Sequence, residues 1–326
     1  MCTSFTLQGK DFYFGRNLDL EYTFGEKVVI TPRAWPLHFL HQPQQPKHYA
    51  MIGMASVVDG TPLYAEAANE KGLCMAGLYF PGNAWYAPEP KEGCDNVAPH
   101  ELIPWLLGSC ASLEEAKVRL EKLHLLGVPF REGLPLAPLH WMLADQTGCL
   151  VLEPMESGLR VYDNPAGVLT NNPPFDFHLQ NLNNYLNLTR DYPVNRFGGT
   201  SQLTPCGQGM GALGLPGDAS PASRLVRTAF LRANSEAENQ GEEAMVSQVF
   251  HILDAVAMVR GSVHTPEGRW DMTTYSCCIN ASRGIYYYKT YENNQLTAVS
   301  LERQDLDSQE IAVFELEKTQ QIRWDN

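Results

Sequence analysis

The sequence predicts an α+β fold in which mainly antiparallel sheets are covered by helices. Three observations carry that reading. Strand-like segments fill the first 80 residues, helical segments occupy the middle of the chain, and the C-terminal part returns to strands. These elements also come in blocks, without the regular β-α-β alternation of a doubly wound parallel sheet.

Taken in order, TSFTL and DFYFGRN are strands joined across the turn signal Gly9-Lys10. VVITP, YAMIGMASVV, PLYAEAAN and GLCMAGLYF follow, with β-branched and aromatic residues punctuated by Gly, Pro and Asp. PHELIPWLLGSC is then helical, and Ser112-Leu-Glu-Glu115 reads as a capping box that opens a second helix through EEAKVRLEKLHLL. The loop GVPFREGLPLAP separates these from the strands LHWMLAD, CLVLEPM, LRVYDN and GVLTNN. Later helices are predicted at DFHLQNLNNYLNL, at Pro221 to Asn234 behind a Ser220 cap, and at EEAMVSQVFHILDAVAMV. TTYSCCIN, GIYYYKTYEN, LTAVSLER and IAVFEL complete the strands. No internal repeat or low-complexity linker divides the chain, so residues 1–326 are expected to form a single domain.

Composition bounds the function. The 326 residues carry 24 Lys+Arg against 37 Asp+Glu, a net charge of −13. Without a basic cluster to neutralise phosphates, no nucleic-acid partner is expected, and an anionic membrane surface is disfavoured for the same reason. No window approaches the ~18 consecutive apolar residues of a membrane span. The N-terminus lacks a basic stretch followed by an apolar run, so a cytoplasmic location is expected. The eight cysteines are scattered without C-x-x-C pairs. They read as buried thiols, Cys2 excepted.

Several motifs resemble chemistry without its context. Gly209-Met-Gly-Ala-Leu-Gly214 has the spacing of a phosphate-cradling turn, but it follows Thr-Pro-Cys and runs into Leu-Pro-Gly-Asp rather than a helix. It reads as a loop needing positive φ angles or close backbone approach. His38 and His41 lack a carboxylate or thiolate partner, so no metal site is expected there. No G-x-S-x-G elbow is present.

Cys2 changes the argument. Removal of Met1 from in front of this small residue leaves a chain beginning with cysteine. Such a residue carries its own base, because an α-amine with an ordinary pKa of about 8 sits within reach of its thiol. Gly15-Arg16-Asn17-Leu18-Asp19 lies one hairpin downstream, and the antiparallel return brings Arg16 and Asp19 back beside residue 2. A permanent cation beside sulfur favours the thiolate, and Asp19 is suited to holding the ammonium.

Cys2-Thr3, Phe14-Gly-Arg-Asn-Leu-Asp-Leu-Glu21, Asn69-Glu-Lys-Gly-Leu73, Leu139-His-Trp141 and Gly167-Val-Leu-Thr-Asn171 form a characteristic set. Gly207-Gln-Gly209, Gly214-Leu-Pro-Gly-Asp218, Pro221-Ala-Ser-Arg224 and Tyr286-Tyr-Tyr-Lys-Thr-Tyr-Glu-Asn293 complete it. Together, and in this order over nearly the whole chain, they resemble the choloylglycine hydrolase family of N-terminal-nucleophile hydrolases, which includes bile salt hydrolases and penicillin V acylases. The resemblance implies a four-layer αββα sandwich of two antiparallel sheets between helical layers, assembled as a homotetramer, with neither cofactor nor metal. It makes Cys2 the nucleophile after loss of Met1, with Arg16 and Asp19 tuning and orienting it. Asn171 matches the oxyanion-hole residue and Arg224 a charged residue lining the nucleophile site.

One departure concerns Gly77-Leu-Tyr79-Phe-Pro81, where bile salt hydrolases often have Asn at the position of Tyr79. Tyrosine there is more reminiscent of penicillin V acylases, although a backbone N–H at Tyr79 can still complete an oxyanion hole. Apolar residues in loops and strand ends, among them Leu18, Val58, Ala65, Phe130 and Leu134, suit a large rigid acyl group. The leading reading is hydrolysis of glycine- or taurine-conjugated bile salts through a Cys2 thioester. The alternatives are a penicillin V acylase with the same mechanism and a bile-salt-binding protein without turnover.

Overall fold

The computed structural model describes residues 1–197, 203–236 and 241–326. Its strands are β1 (Cys2–Gln8), β2 (Phe12–Leu20), β3 (Glu26–Thr31), β4 (Met51–Val58), β5 (Thr61–Asn69), β6 (Cys74–Tyr79), β7 (Asp95–Val97) and β8 (Leu123–Leu125). β9 (Leu139–Asp145), β10 (Gly148–Met155), β11 (Gly158–Asp163), β12 (Val168–Leu169), β13 (Met272–Asn280), β14 (Ile285–Thr290), β15 (Thr297–Ser300) and β16 (Ala312–Glu315) follow. The helices are α1 (Leu102–Ser109), α2 (Leu113–Leu120), α3 (Phe175–Leu182), α4 (Pro221–Ala233) and α5 (Glu242–Asp254).

All of these strands except β7 and β8, which pair with each other, form two large antiparallel sheets. One has six strands in the order β12-β1-β2-β13-β14-β15, and the other eight in the order β11-β10-β9-β6-β5-β4-β3-β16. Alternation along each strand sends successive side chains to opposite faces, and three cores result. Phe12, Phe14, Ile52, Met54, Ile279 and Tyr286 pack between the sheets. Met51, Met75 and Leu143 pack outward against Trp105 and Leu106 of α1. Phe5, Leu7 and Tyr13 pack outward from the smaller sheet against Leu225 of α4 and Val249 and Leu253 of α5. The layers therefore run helix, sheet, sheet, helix, which is the expected αββα sandwich.

Local signals set the element ends. Ser220 Oγ accepts from the Ser223 amide, and Pro221 occupies the first turn of α4. Ser112 Oγ likewise accepts from Glu115 N, but α2 ends at Leu120 instead of running to Leu126. Leu123–Leu125 is drawn into parallel pairing with β7, where tertiary pairing overrides helix propensity. α5 also stops short, at Asp254. The loop at Gly209–Gly214 holds a single short 3-10 turn over Met210–Ala212. Gly209 and Gly214 have φ values of +78° and +99°, and a Cβ on Gly211 would clash with the Asp191 and Thr189 carbonyl oxygens.

Candidate active site

Register delivers the neighbours of Cys2. β1 pairs with β2 so that Cys2 stands opposite Leu18 and Ser4 opposite Arg16. Arg16 and Leu18 therefore share the inter-sheet face with Cys2, whereas Asp19 faces the α4/α5 layer. Both charged residues converge on residue 2, but from opposite sides. Arg16 Nη2 lies 3.5 Å from Cys2 Sγ. Asp19 holds the chain end: its amide donates to the Met1 carbonyl at 2.8 Å, and its carbonyl accepts from the Met1 amine. That amine also pairs with Asp271 at 3.2 Å.

The Asp19 carboxylate accepts from Thr273 Oγ1 at 2.6 Å and stands 3.9 Å from Arg224 Nη1. Its Oδ2 is buried without a hydrogen-bond partner. Burial pushes the Asp19 carboxyl above its ordinary range, against the lowering influence of Arg224, the terminal amine and Thr273.

Arg16 is clamped on three sides. Nη1 donates to the Ala65 carbonyl at 2.6 Å and to Glu66 Oε2 at 2.5 Å, and Nη2 donates to the Gly77 carbonyl at 2.6 Å. Burial alone disfavours the guanidinium charge, but Glu66 and Cys2 outweigh it and hold Arg16 protonated well above its ordinary range. Glu66 in turn accepts from Tyr275 OH at 2.9 Å and Tyr286 OH at 2.5 Å. Two irregularities aim these groups. An extra residue at Ala65 in β5 presents the Ala65 carbonyl beside Glu66. Another at Thr274 in β13 lets Thr273 face Asp19 while Tyr275 faces Glu66.

β12 extends this geometry. Leu169 pairs with Ser4, so the strand direction carries Asn171 to the level of Cys2. Asn171 Oδ1 accepts from Cys2 N at 2.9 Å and from Arg224 Nη2 at 2.8 Å. With two donors on its oxygen, Asn171 turns Nδ2 to the Tyr79 carbonyl at 2.7 Å. A carboxamide nitrogen has two hydrogens, so a second one is left to donate. Arg224, in the first turns of α4, also donates to the Cys2 carbonyl and to Thr3 Oγ1, each at 2.6 Å. Its burial lowers the guanidinium pKa, and Asp19 and Cys2 counter that.

Tyr79 lies at the end of β6 with its side chain 43% exposed. Tyr79 pairs with Leu139, whose amide donates instead to Tyr86 OH. The Tyr79 carbonyl consequently points away from β9 toward Asn171, and the alternation of an antiparallel ladder puts its amide on the same edge.

The proposed apolar wall is brought together only in part. Leu18 is buried in the inter-sheet core, and Ala65 packs against that core. Val58 ends β4, and Leu134 lies in the 127–138 loop, which Arg131 ties to Asp59 at 3.0 Å. Phe130 stands apart from the expectation. Its ring meets His100 edge-on at 5.4 Å and lines a cavity of about 250 Å³ with Trp35, Tyr64 and Pro104, on the α1 side of the larger sheet. The loop folds outward there because His100 and Pro104, at the start of α1, offer an apolar seat.

Sequence reasoning missed Glu66, Thr273, Asp271, Tyr275 and Tyr286. Glu66 had a legible signal: a single acid within the apolar strand PLYAEAAN has to find a buried partner. The others carry no local signal. Among the described residues, no three His, Cys, Asp or Glu side chains converge in a cluster able to hold a metal.

Comparison with known proteins agrees with this geometry. Residues 2–314 match the family described as linear amide C–N hydrolases, choloylglycine hydrolase family, and the chain belongs to that family. It is 47% identical to a bile salt hydrolase/transferase of Lactiplantibacillus plantarum, covering 97% of both chains. It is 41% identical to one of Clostridium perfringens, covering 99% of both. Among solved structures it is similar to a variant of the conjugated bile acid hydrolase from Clostridium perfringens, with a TM-score of 0.92 and 40% identity over 100% of each chain. A penicillin V acylase from Agrobacterium tumefaciens shares the fold, with a TM-score of 0.75 and 20% identity over 96% of this chain and 91% of that one.

Proposed function

We propose that the protein hydrolyses the amide bond of glycine- or taurine-conjugated bile salts through a thioester on Cys2. The observation that carries the reading is the convergence of Arg16, Asp19, Asn171 and Arg224 on the residue that becomes the chain terminus when Met1 is removed. The freed α-amine then lies where Cys2 N now meets Asn171 Oδ1 at 2.9 Å. It takes the thiol proton, and the sulfur attacks the substrate carbonyl carbon.

The developing oxyanion is met by the second Nδ2 hydrogen of Asn171 and by the Tyr79 amide, each donor being worth roughly 3 kcal/mol. Arg16 offsets negative charge on sulfur. As the tetrahedral species collapses, the C–N bond breaks and the ammonium returns its proton to the departing glycine or taurine nitrogen. Water, deprotonated by the same amine, attacks the thioester and releases the free bile acid and the thiol. Arg224 keeps Asn171 and the Cys2 carbonyl fixed during both halves. Two further expectations stand beside it, a homotetramer from the family resemblance and a cytoplasmic location from the sequence reading.

Primary-amine release from glycocholate, taurocholate and penicillin V at equal concentration tests the reading. Faster release from the bile salts, and loss of all release in Cys2→Ala, is expected. A protein that retains Met1 in its active form, or turnover by Cys2→Ala, overturns the mechanism. Preference for penicillin V makes Tyr79 the reporter of the acyl group, and binding without amine release makes the protein a bile-salt binder.

A further inference from the structure

Behind Asn171 lies a polar cluster that the proposed chemistry does not use. His140, Glu153, Thr170 and His178 are each completely buried, and His140 is the central residue of the Leu139-His-Trp141 motif. His178 Nε2 donates to the Asn171 carbonyl at 2.9 Å, and His140 Nε2 donates to the Thr170 carbonyl at 2.9 Å. His140 Nδ1 meets Glu153 Oε1 at 3.2 Å, and Glu153 Oε1 also accepts from the Phe175 amide at 3.0 Å. Phe80 stacks flat on His140, with ring centroids 4.3 Å apart and an interplanar angle of 5°. Thr170 Oγ1 donates to the Pro221 carbonyl at 2.9 Å, tying the same segment to the start of the helix that carries Arg224.

Buried polar groups cost free energy unless they are paired, and this cluster spends its pairs on two consecutive carbonyls just after a two-residue strand. β12 is too short to fix Asn171 by itself. The strand ladder ends at Leu169, so the backbone of residues 170 and 171 has no β-partner to set its direction. Two imidazole N–H groups supply that direction instead. Since a carbonyl only accepts, both Nε2 atoms carry hydrogen. Burial also lowers the His178 pKa, consistent with a neutral ring whose Nδ1 has no partner.

We propose that His140 and His178, with Glu153 orienting His140, are positioning residues for the Asn171 carboxamide. The inference rests on the proposed function, because Asn171 matters through the oxyanion it is suited to meet. A displacement of about 1 Å at such a donor costs on the order of 100-fold in rate.

The test compares His178→Leu, which deletes the N–H, with His178→Gln, which retains a donor, and adds His140→Gln. Steady-state kinetics on the amide the parent cleaves fastest are read beside thermal unfolding and the rate of Cys2 alkylation by iodoacetamide. His178→Leu is expected to lower kcat roughly 10- to 100-fold with KM within about threefold, and His178→Gln to restore most of it. Equal loss in the Leu and Gln variants, or a kcat for His178→Leu within about twofold of the parent, overturns the proposal. If His178→Leu does not fold, the pair His140→Leu and His140→Gln decides instead: a kcat loss in the Leu variant that the Gln variant restores supports the proposal, and equal loss in both overturns it. If the parent cleaves none of the three amides, the functional reading fails by itself, and alkylation judges the positioning role: a Cys2 rate changed in His178→Leu and restored in His178→Gln supports it, and one rate in all three overturns it.

Discussion

Arg16 joins two atoms from different sheets: its Nη2 lies 3.5 Å from Cys2 Sγ while its Nη1 is bound to Glu66 Oε2 at 2.5 Å. The cation beside the sulfur is thus held by a carboxylate on the opposite sheet, and both side chains are almost entirely buried. Glu66→Gln leaves the Arg16 charge without its counterion and alters the partners of Tyr275 and Tyr286. Breaking such a pair is expected to destabilise the fold by about 3–5 kcal/mol. Urea unfolding measures this, and kcat/KM falls with it. A stability change below about 1 kcal/mol would show that the Ala65 and Gly77 carbonyls hold Arg16 without Glu66.

Arg224 distributes its donors over the Cys2 carbonyl, Thr3 Oγ1, Asn171 Oδ1 and the Ala219 carbonyl. A lysine keeps the charge but has no planar fork. Arg224→Lys is expected to lower kcat by roughly 100-fold through misplacement of Asn171. Turnover close to the parent would reduce Arg224 to a point charge near Asp19.

Tyr79 contributes its backbone to the proposed oxyanion site, while its side chain is 43% exposed. Tyr79→Ala is expected to hold kcat within about threefold, since a backbone N–H is unaffected by the side chain. Any change falls on KM or on the ratio of bile salt to penicillin V cleavage. A large fall in kcat alone would give the phenol a part in the chemistry.

His100 lines the α1-side cavity, and burial lowers its pKa from 6.5 to about 4. Its neutral form is favoured by folding, so the associated stability is present above about pH 6.5 and is lost as pH falls toward 4. His100→Gln is expected to flatten the dependence of unfolding free energy on pH between those values. An unchanged slope, followed by urea titration at successive pH values, would contradict the burial of His100.

The nucleophile candidate was legible because its chemistry is written at the chain start, and Arg16 because a hairpin of readable turn length returns it to Cys2. Asn171 and Arg224 were legible only through the family resemblance. They lie 169 and 222 positions from Cys2, too far for any local pattern to connect them. Thr273 and Tyr275 were hidden for a further reason. They are two residues apart and would share a face in a regular strand, but the irregularity at Thr274 sends them to opposite layers.

By itself the sequence determined the strands, the helix caps, a block order that points to antiparallel sheets covered by helices, and a cysteine whose own amine serves as its base. Those follow from local propensity, periodicity and covalent proximity, which act over a few residues. Tertiary structure decided that Glu66 is the counterion of Arg16, that Thr273 meets the Asp19 carboxylate, and that Phe130 turns toward His100. These depend on which residues face one another across sheets and on where a ladder slips by one residue, and pairing across the fold sets both.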